Sequence, residues 1–121
     1  MRLNKLHSDK RGAIYVLTGE EIDFEEITVF FTEQNFARGG CIHKLNDEHC
    51  VVLGGKIAFT IGEKTHLLHR GETITIPSNT PHYFISTTAS LVMEWGTMPE
   101  EKKEKHLETR KIVDKINEKN N

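Results

Sequence analysis

The 121-residue chain holds only two cysteines, three prolines and one tryptophan, carries almost no excess of either charge, and contains no long apolar run. Each shortage excludes something. Cys41 and Cys50 are too few for a disulfide framework in a chain whose apolar content can already build a core, so both are expected as reduced thiols. A formal net charge of −2 leaves no electrostatic footprint for nucleic acid. No stretch approaches the roughly 20 apolar residues of a membrane helix, and Met1-Arg2-Leu3-Asn4-Lys5 lacks the apolar core of a signal peptide. The expectation is therefore a soluble cytoplasmic protein with no membrane partner, long enough for one domain and one core.

What is present is a series of short β-branched and aromatic runs separated by turn residues. Ala13 to Leu17, Ile27 to Thr32, Cys50 to Leu53, Lys56 to Ile61, Thr73 to Ile76, His82 to Ser86 and Leu91 to Trp95 each read as a strand. Ile27-Thr28-Val29-Phe30-Phe31-Thr32 alternates as a half-buried strand does, and Gly54-Gly55 signals a hairpin with Lys56 to Ile61 as its return. The polar Met1 to Lys10 segment reads as an arm or short edge strand, and the acidic Glu20 to Glu26 segment as a loop. With no helical period between strands, residues 1–98 are expected to form an all-β domain, a single small antiparallel β-barrel or jelly roll. From Pro99 the composition changes. Pro99 suits a first helical position, Glu100 and Glu101 favour a helix N-terminus, and Ile112, Val113 and Ile116 form an apolar stripe. Residues 99–121 are thus expected as a charged helix packed on the same domain or on a partner.

Two stretches carry the chemistry. In Gly40 to Gly55, Cys41 and His43 are two apart and leave the same face of an extended strand, and Glu48 heads the run Cys50-Val51-Val52-Leu53. In Gly71 to His82, the alternating Thr73 to Ile76 leads into Pro77, Asn79, Pro81 and His82. A thiol, two imidazoles and a carboxylate then lie at the mouths of strands. His43, Glu48 and His82 suit a divalent metal such as zinc, iron, manganese or nickel, with Cys41 as a softer fourth ligand; the bland alternative is a metal-free pocket in which Glu48 pairs with the histidines. Cys50 reads as a small core residue, and Phe59, Phe84, Trp95 and Tyr83 as core with one or two lining the pocket. Arg38, placed on a turn before the first stretch, offers a guanidinium for a phosphate or carboxylate.

Glu48, Gly54 or Gly55, Gly71, Pro77 and His82 fall at spacings that resemble the two motifs of the cupin superfamily, with Cys41 standing where the first motif usually has its first histidine. The further order Asp9-Lys10-Arg11-Gly12, an aromatic strand, then Arg38-Gly39 leading into His43-Lys44 resembles cupins acting on nucleotide-linked sugars. These are the dTDP-4-keto-6-deoxyglucose 3,4-ketoisomerases and, more distantly, the dTDP-4-dehydrorhamnose 3,5-epimerases. The resemblance covers roughly residues 9 to 95. It implies an isomerase or epimerase moving a proton beside a carbonyl of a nucleotide-linked keto-sugar, without an organic cofactor. Carried over, His43 matches the second motif histidine as general base, with His82 and Cys41 as further catalytic groups and Arg38, Lys44 and Tyr83 on the substrate. Phe30 and Phe31 stand where those enzymes have a tyrosine, and Glu48 is more like metal-binding cupins, including those attached to capsule-sugar reductases. The alternatives are a metal-dependent oxygenase or small-acid isomerase, and a non-catalytic sugar-binding cupin. Small cupins frequently pair by strand exchange, so the resemblance and the polar arm together imply a homodimer.

Overall fold

A computed structural model describes residues 1–20, 26–97 and 103–120. Twelve strands and one helix are found there. In chain order they are β1 (Arg2–Asp9), β2 (Gly12–Thr18), β3 (Glu26–Thr32), β4 (Ala37–Gly39), β5 (Cys41–His43), β6 (Glu48–Gly54) and β7 (Lys56–Ile61). Then come β8 (Lys64–His69), β9 (Thr73–Ile76), β10 (His82–Ser86), β11 (Ser90–Thr97), β12 (Lys103–Lys105) and α1 (Leu107–Glu118). A six-stranded sheet in the order β1-β2-β3-β11-β6-β9 faces a four-stranded sheet β4-β10-β7-β8, and β12 pairs with β5. The strand pairs are antiparallel. The fold is the expected all-β jelly roll with a C-terminal helix, its sheets packed face to face instead of joined into one closed barrel.

Successive strands often change sheet, and the turn residues explain how. Gly54-Gly55 is not a hairpin: β6 pairs with β11 and β9, whereas β7 pairs with β10 and β8. Gly55, at φ 76°, lets the chain turn that corner against the backbone of Ser90, whose Cα would lie 2.9 Å from any added Cβ. The true hairpin is one step later, where Ile61 pairs with Lys64 across Gly62 and Glu63. Gly39, at φ 140°, has the same duty where β4 gives way to β5; a Cβ there would sit 2.7 Å from the Tyr83 Cα.

Cys50, Val52, Ile57, Phe59, Ile76, Phe84 and Val92 form the core between the two sheets, joined by Phe30, Ile61, Leu68 and Ile74. Cys41 and Cys50 are both free thiols, and burial pushes the Cys50 thiol far up, so it stays an inert core group.

The C-terminal segment differs from its expectation. Residues 98–102, on which the helix start was placed, lie outside the described residues, as do 21–25 of the acidic segment. Lys103–Lys105 is a strand, and the helix begins at Leu107 with the His106 side chain accepting from the Thr109 N–H. The helix packs on β4 and β10, where Asn117 accepts from the Ala37 N–H at 2.7 Å and donates to the Ala37 carbonyl at 3.1 Å. Val113 is the buried member of its apolar stripe, while Ile112 is 44% exposed.

Candidate functional site

The turn between β9 and β10 ties the two sequence stretches together. Ser78 N–H donates to Asp47 Oδ1 at 2.8 Å, and Asn79, at φ 57°, donates its N–H to the His43 carbonyl at 2.6 Å. His43 at the end of β5, Glu48 at the start of β6 and His82 at the start of β10 are each less than a tenth exposed. They meet at one carboxylate. His43 Nε2 lies 3.2 Å from Glu48 Oε2, and His82 Nε2 lies 3.3 Å from Glu48 Oε1. The Phe59 ring stacks on His82 with centroids 6.1 Å apart.

The cluster opens on a cavity of about 320 Å³, lined also by Cys41, Arg38, Phe30, Glu94, Arg11 and Arg110. Cys41 shares that wall because it lies two residues from His43 on one strand. Arg38 is on β4 and not on a turn, 4% exposed, its Nε donating to Thr32 Oγ1 at 3.1 Å and its Nη2 to the Phe31 carbonyl at 3.2 Å. Its Nη1 has no partner, and burial, with the nearby Arg11 charge, pulls the guanidinium down to about 10. It remains a cation at neutral pH. Lys44 and Tyr83, read from sequence as substrate contacts, do not line this cavity. Lys44 instead reaches Glu104 at 3.4 Å on the surface. Tyr83 falls between the inward-facing His82 and Phe84, so the strand's alternation turns it to the other face.

Glu94 was not singled out from the sequence. It lies on β11 opposite Cys50, one cross-strand diagonal from Glu48, and its carboxyl lines the cavity. The signal was available: a lone carboxylate in Leu91-Val92-Met93-Glu94-Trp95, in phase with the buried Val92.

The two carboxyls are driven apart. Burial works against ionisation of Glu48, but the His43 and His82 imidazoles against its two oxygens, at 3.2 and 3.3 Å, outweigh it and hold Glu48 down to about 2. Burial and the Glu48 charge push Glu94 well above the usual carboxylate range, so it keeps its proton. A raised carboxyl stabilises the fold most below its unfolded value and loses that contribution as pH rises. Glu94→Gln is accordingly expected to melt higher than wild type at alkaline pH, with the difference closing toward pH about 4, near the unfolded value. Thermal melts across pH check this; an advantage for Glu94→Gln that grows toward acid would contradict a protonated Glu94. For Glu48 the sign is opposite: its contribution is whole above about 4.3 and is lost as pH falls toward 2.

Whether the donors suit a divalent ion can be tested on hydrogen bonding. His82 Nδ1 lies 2.9 Å from the Thr80 carbonyl, which can only accept, so Nδ1 carries a proton. In neutral His82 the bare Nε2 then faces Glu48 Oε1, a buried acceptor with no hydrogen-bond partner. Two acceptors at that separation call for a positive charge between them, either a proton or a metal ion. Two imidazoles and a carboxylate are the right donor types for the ions named above, and the Thr80 carbonyl orients His82 as an outer-sphere partner does. However, the carboxylate now bridges the two rings, and no three His, Cys, Asp or Glu groups among the described residues form a ready metal cage.

Two packed antiparallel sheets enclosing a pocket of histidines and carboxylates define the class: a small β-sandwich protein with an internal polar site. Residues 40–98, just under half of the chain, match the family described as Cupin domain. No curated protein matches the chain's sequence. Among solved structures it is similar to the conserved SPY1581 protein of unknown function from Streptococcus pyogenes, with 24% identity and a TM-score of 0.60, over 72% of this chain and 74% of that one. It is similar to the capsular polysaccharide assembling protein CapF of Staphylococcus aureus, with 17% identity and a TM-score of 0.69, over 87% of this chain and 34% of that one. It is also similar to Bacillus subtilis oxalate decarboxylase, a protein with Mn(II) centres, with 14% identity and a TM-score of 0.73, over 84% of this chain and 29% of that one. The chain thus spans about a third of CapF and of the decarboxylase. At these identities the likenesses establish the fold. Among the described residues no helix is long and apolar enough to cross a membrane.

Proposed function

We propose that the cavity moves a proton beside a carbonyl of a small, oxygen-rich, anionic substrate of sugar or sugar-acid type. One arrangement carries this reading: two buried carboxyls, Glu48 held low by its histidines and Glu94 pushed up by burial and the Glu48 charge, share a cavity with His43 and His82. Paired titratable groups with values pushed apart mark an acid and a base. His43, backed by the Glu48 carboxylate, takes the proton from carbon. Glu94 donates a hydrogen bond to the oxygen on which negative charge develops, and His43 gives the proton it holds back to the neighbouring carbon. Arg38, tied on two of its nitrogens with Nη1 free, supplies the positive charge for a carboxylate or phosphate, with Arg110 and Arg11 on the same wall. Cys41 contributes a thiol to the wall beside His43.

The cavity is at the small end of ligand pockets, so it encloses a monosaccharide or small acid, while the nucleotide of a nucleotide-linked keto-sugar lies outside its mouth. Incubation in heavy water with free keto-sugar acids and with dTDP-4-keto-6-deoxyglucose, followed by mass spectrometry, is expected to show deuterium entering one of them. His43→Ala abolishes that exchange. Tight binding of a substrate without exchange, unchanged in His43→Ala, would replace this reading with a non-catalytic sugar-binding module.

The frustrated contact between His82 Nε2 and Glu48 Oε1 favours a second reading, in which His43, Glu48 and His82 hold zinc, iron, manganese or nickel. The ion would supply a Lewis acid for the developing oxyanion. Glu94 then keeps its role as donor, and Arg38 still holds the anionic end. Elemental analysis of the purified protein separates the two: stoichiometric metal lost in His82→Ala selects the second.

A further inference from the structure

Beside the histidine cavity lies a second hollow, a groove of about 500 Å³ between the β1–β2 turn and helix α1. The polar arm of the sequence is in the structure the edge strand β1, paired with β2 of its own chain, and this pairing sets Asp9-Lys10-Arg11 along one side of the groove. Arg110, Val113, Asp114, Asn117 and Glu118 form the other side; at spacings of i, i+3, i+4, i+7 and i+8 they make one face of the helix. Phe36 and Val113, both buried, close the floor.

Arg11, Gly39 and Arg110 line both hollows, which therefore meet at a pair of guanidiniums. Each is held there by its surroundings. Arg11 donates from Nε and Nη2 to Asp9 Oδ2 at 3.0 and 2.8 Å, with His7 Nε2 3.0 Å from the same oxygen. The Arg110 stem lies against the bare backbone of Gly40, where an added Cβ would collide with its Cδ. Among the described residues Arg110 forms no ion pair or side-chain hydrogen bond. Two guanidiniums against the one engaged carboxylate of Asp9 leave the junction with an excess of positive charge.

We propose that this groove is a second sugar subsite and that the ligand is a disaccharide of two sugar acids. The proposal rests on the cavity being a site for a sugar acid. In such a disaccharide only the reducing-end unit carries a carbonyl, so that unit enters the cavity with its carboxylate on Arg38. The second unit crosses the junction into the groove with its carboxylate between Arg11 and Arg110, whose N–H forks match the two oxygens. Asp114, Glu118 and Lys10 then meet ring hydroxyls, which both donate and accept. A nucleotide is the poorer occupant: Phe36, the aromatic side chain of this lining among the described residues, is 8% exposed and gives a base no open ring to stack on.

Calorimetric titration of the full chain with galacturonate, digalacturonate, maltose and dTDP-glucose is expected to rank digalacturonate first, about 10-fold or more tighter than galacturonate. Asp114→Trp, at an exposed helix position, fills the groove and is expected to abolish that advantage while leaving galacturonate binding unchanged. Asp114→Ala combined with Glu118→Ala reduces the advantage without added bulk, and circular dichroism confirms the fold of each variant. Equal affinity for the two acids, maltose matching digalacturonate, or an advantage that survives Asp114→Trp overturns the proposal. So does dTDP-glucose binding more tightly than digalacturonate and losing its affinity in Asp114→Trp, which gives the groove to a nucleotide. Deuterium exchange reads the cavity separately. Exchange into galacturonate with no digalacturonate advantage leaves the proton transfer standing and removes the subsite, whereas an advantage without exchange upholds the subsite and removes the proton transfer.

Discussion

Glu48→Ala is expected to reduce solvent proton exchange into the substrate by about 10²–10⁴-fold, the span normally supplied by positioned acid–base groups. The carboxylate is the common partner of His43 and His82, at 3.2 and 3.3 Å, and the charge that keeps Glu94 protonated. Its removal leaves two buried imidazoles without their shared carboxylate and takes away the charge that disfavours ionisation of Glu94. Glu48→Gln refines the test. It keeps shape but offers an NH₂ donor to one of the rings, so it should lose nearly as much exchange if the charge matters and little if shape alone does. A Glu48→Ala variant that exchanges at the wild-type rate would remove the cluster from the chemistry. If the protein is isolated with a metal, the same variant should lose it.

Phe59→Ala is expected to lower unfolding stability by about 3–5 kcal/mol, measured by chemical denaturation. That is a large part of the roughly 5–15 kcal/mol available to a domain. Phe59 is fully buried between the sheets, tilted against Phe84 with centroids 5.6 Å apart and stacked on His82. The ring joins core and site, so its loss also releases the His82 imidazole and should slow exchange in whatever fraction stays folded. A change below about 1 kcal/mol would show that the surrounding side chains collapse into the space, since the cavity term makes up much of such losses.

Position in the chain gave access to part of this molecule. The strands around Gly12, Gly62, Gly71 and Pro77 were legible because turn residues bracket β-branched runs, and His43, Glu48 and His82 were legible as one cluster because two short stretches have the cupin spacing. Tyr83 could have been set aside on the same grounds: once His82 faces in, its neighbour must face out. Arg38, Glu94 and the facing of β3 were less accessible. Which face of β3 meets the cavity depends on its partners β2 and β11, and a shift of one residue exchanges the two sets of side chains.

By itself the sequence determined an all-β domain with a helical tail and the residue types that gather at its site, because strand propensity, turn chemistry and alternation act over a few residues. The tertiary structure alone decided that Gly54-Gly55 is a corner, that Glu94 joins Glu48 as its protonated partner, and that Ile27, Val29 and Phe31 look outward. Those outcomes depend on which distant strands lie side by side, and strand register is set by packing across the whole sheet.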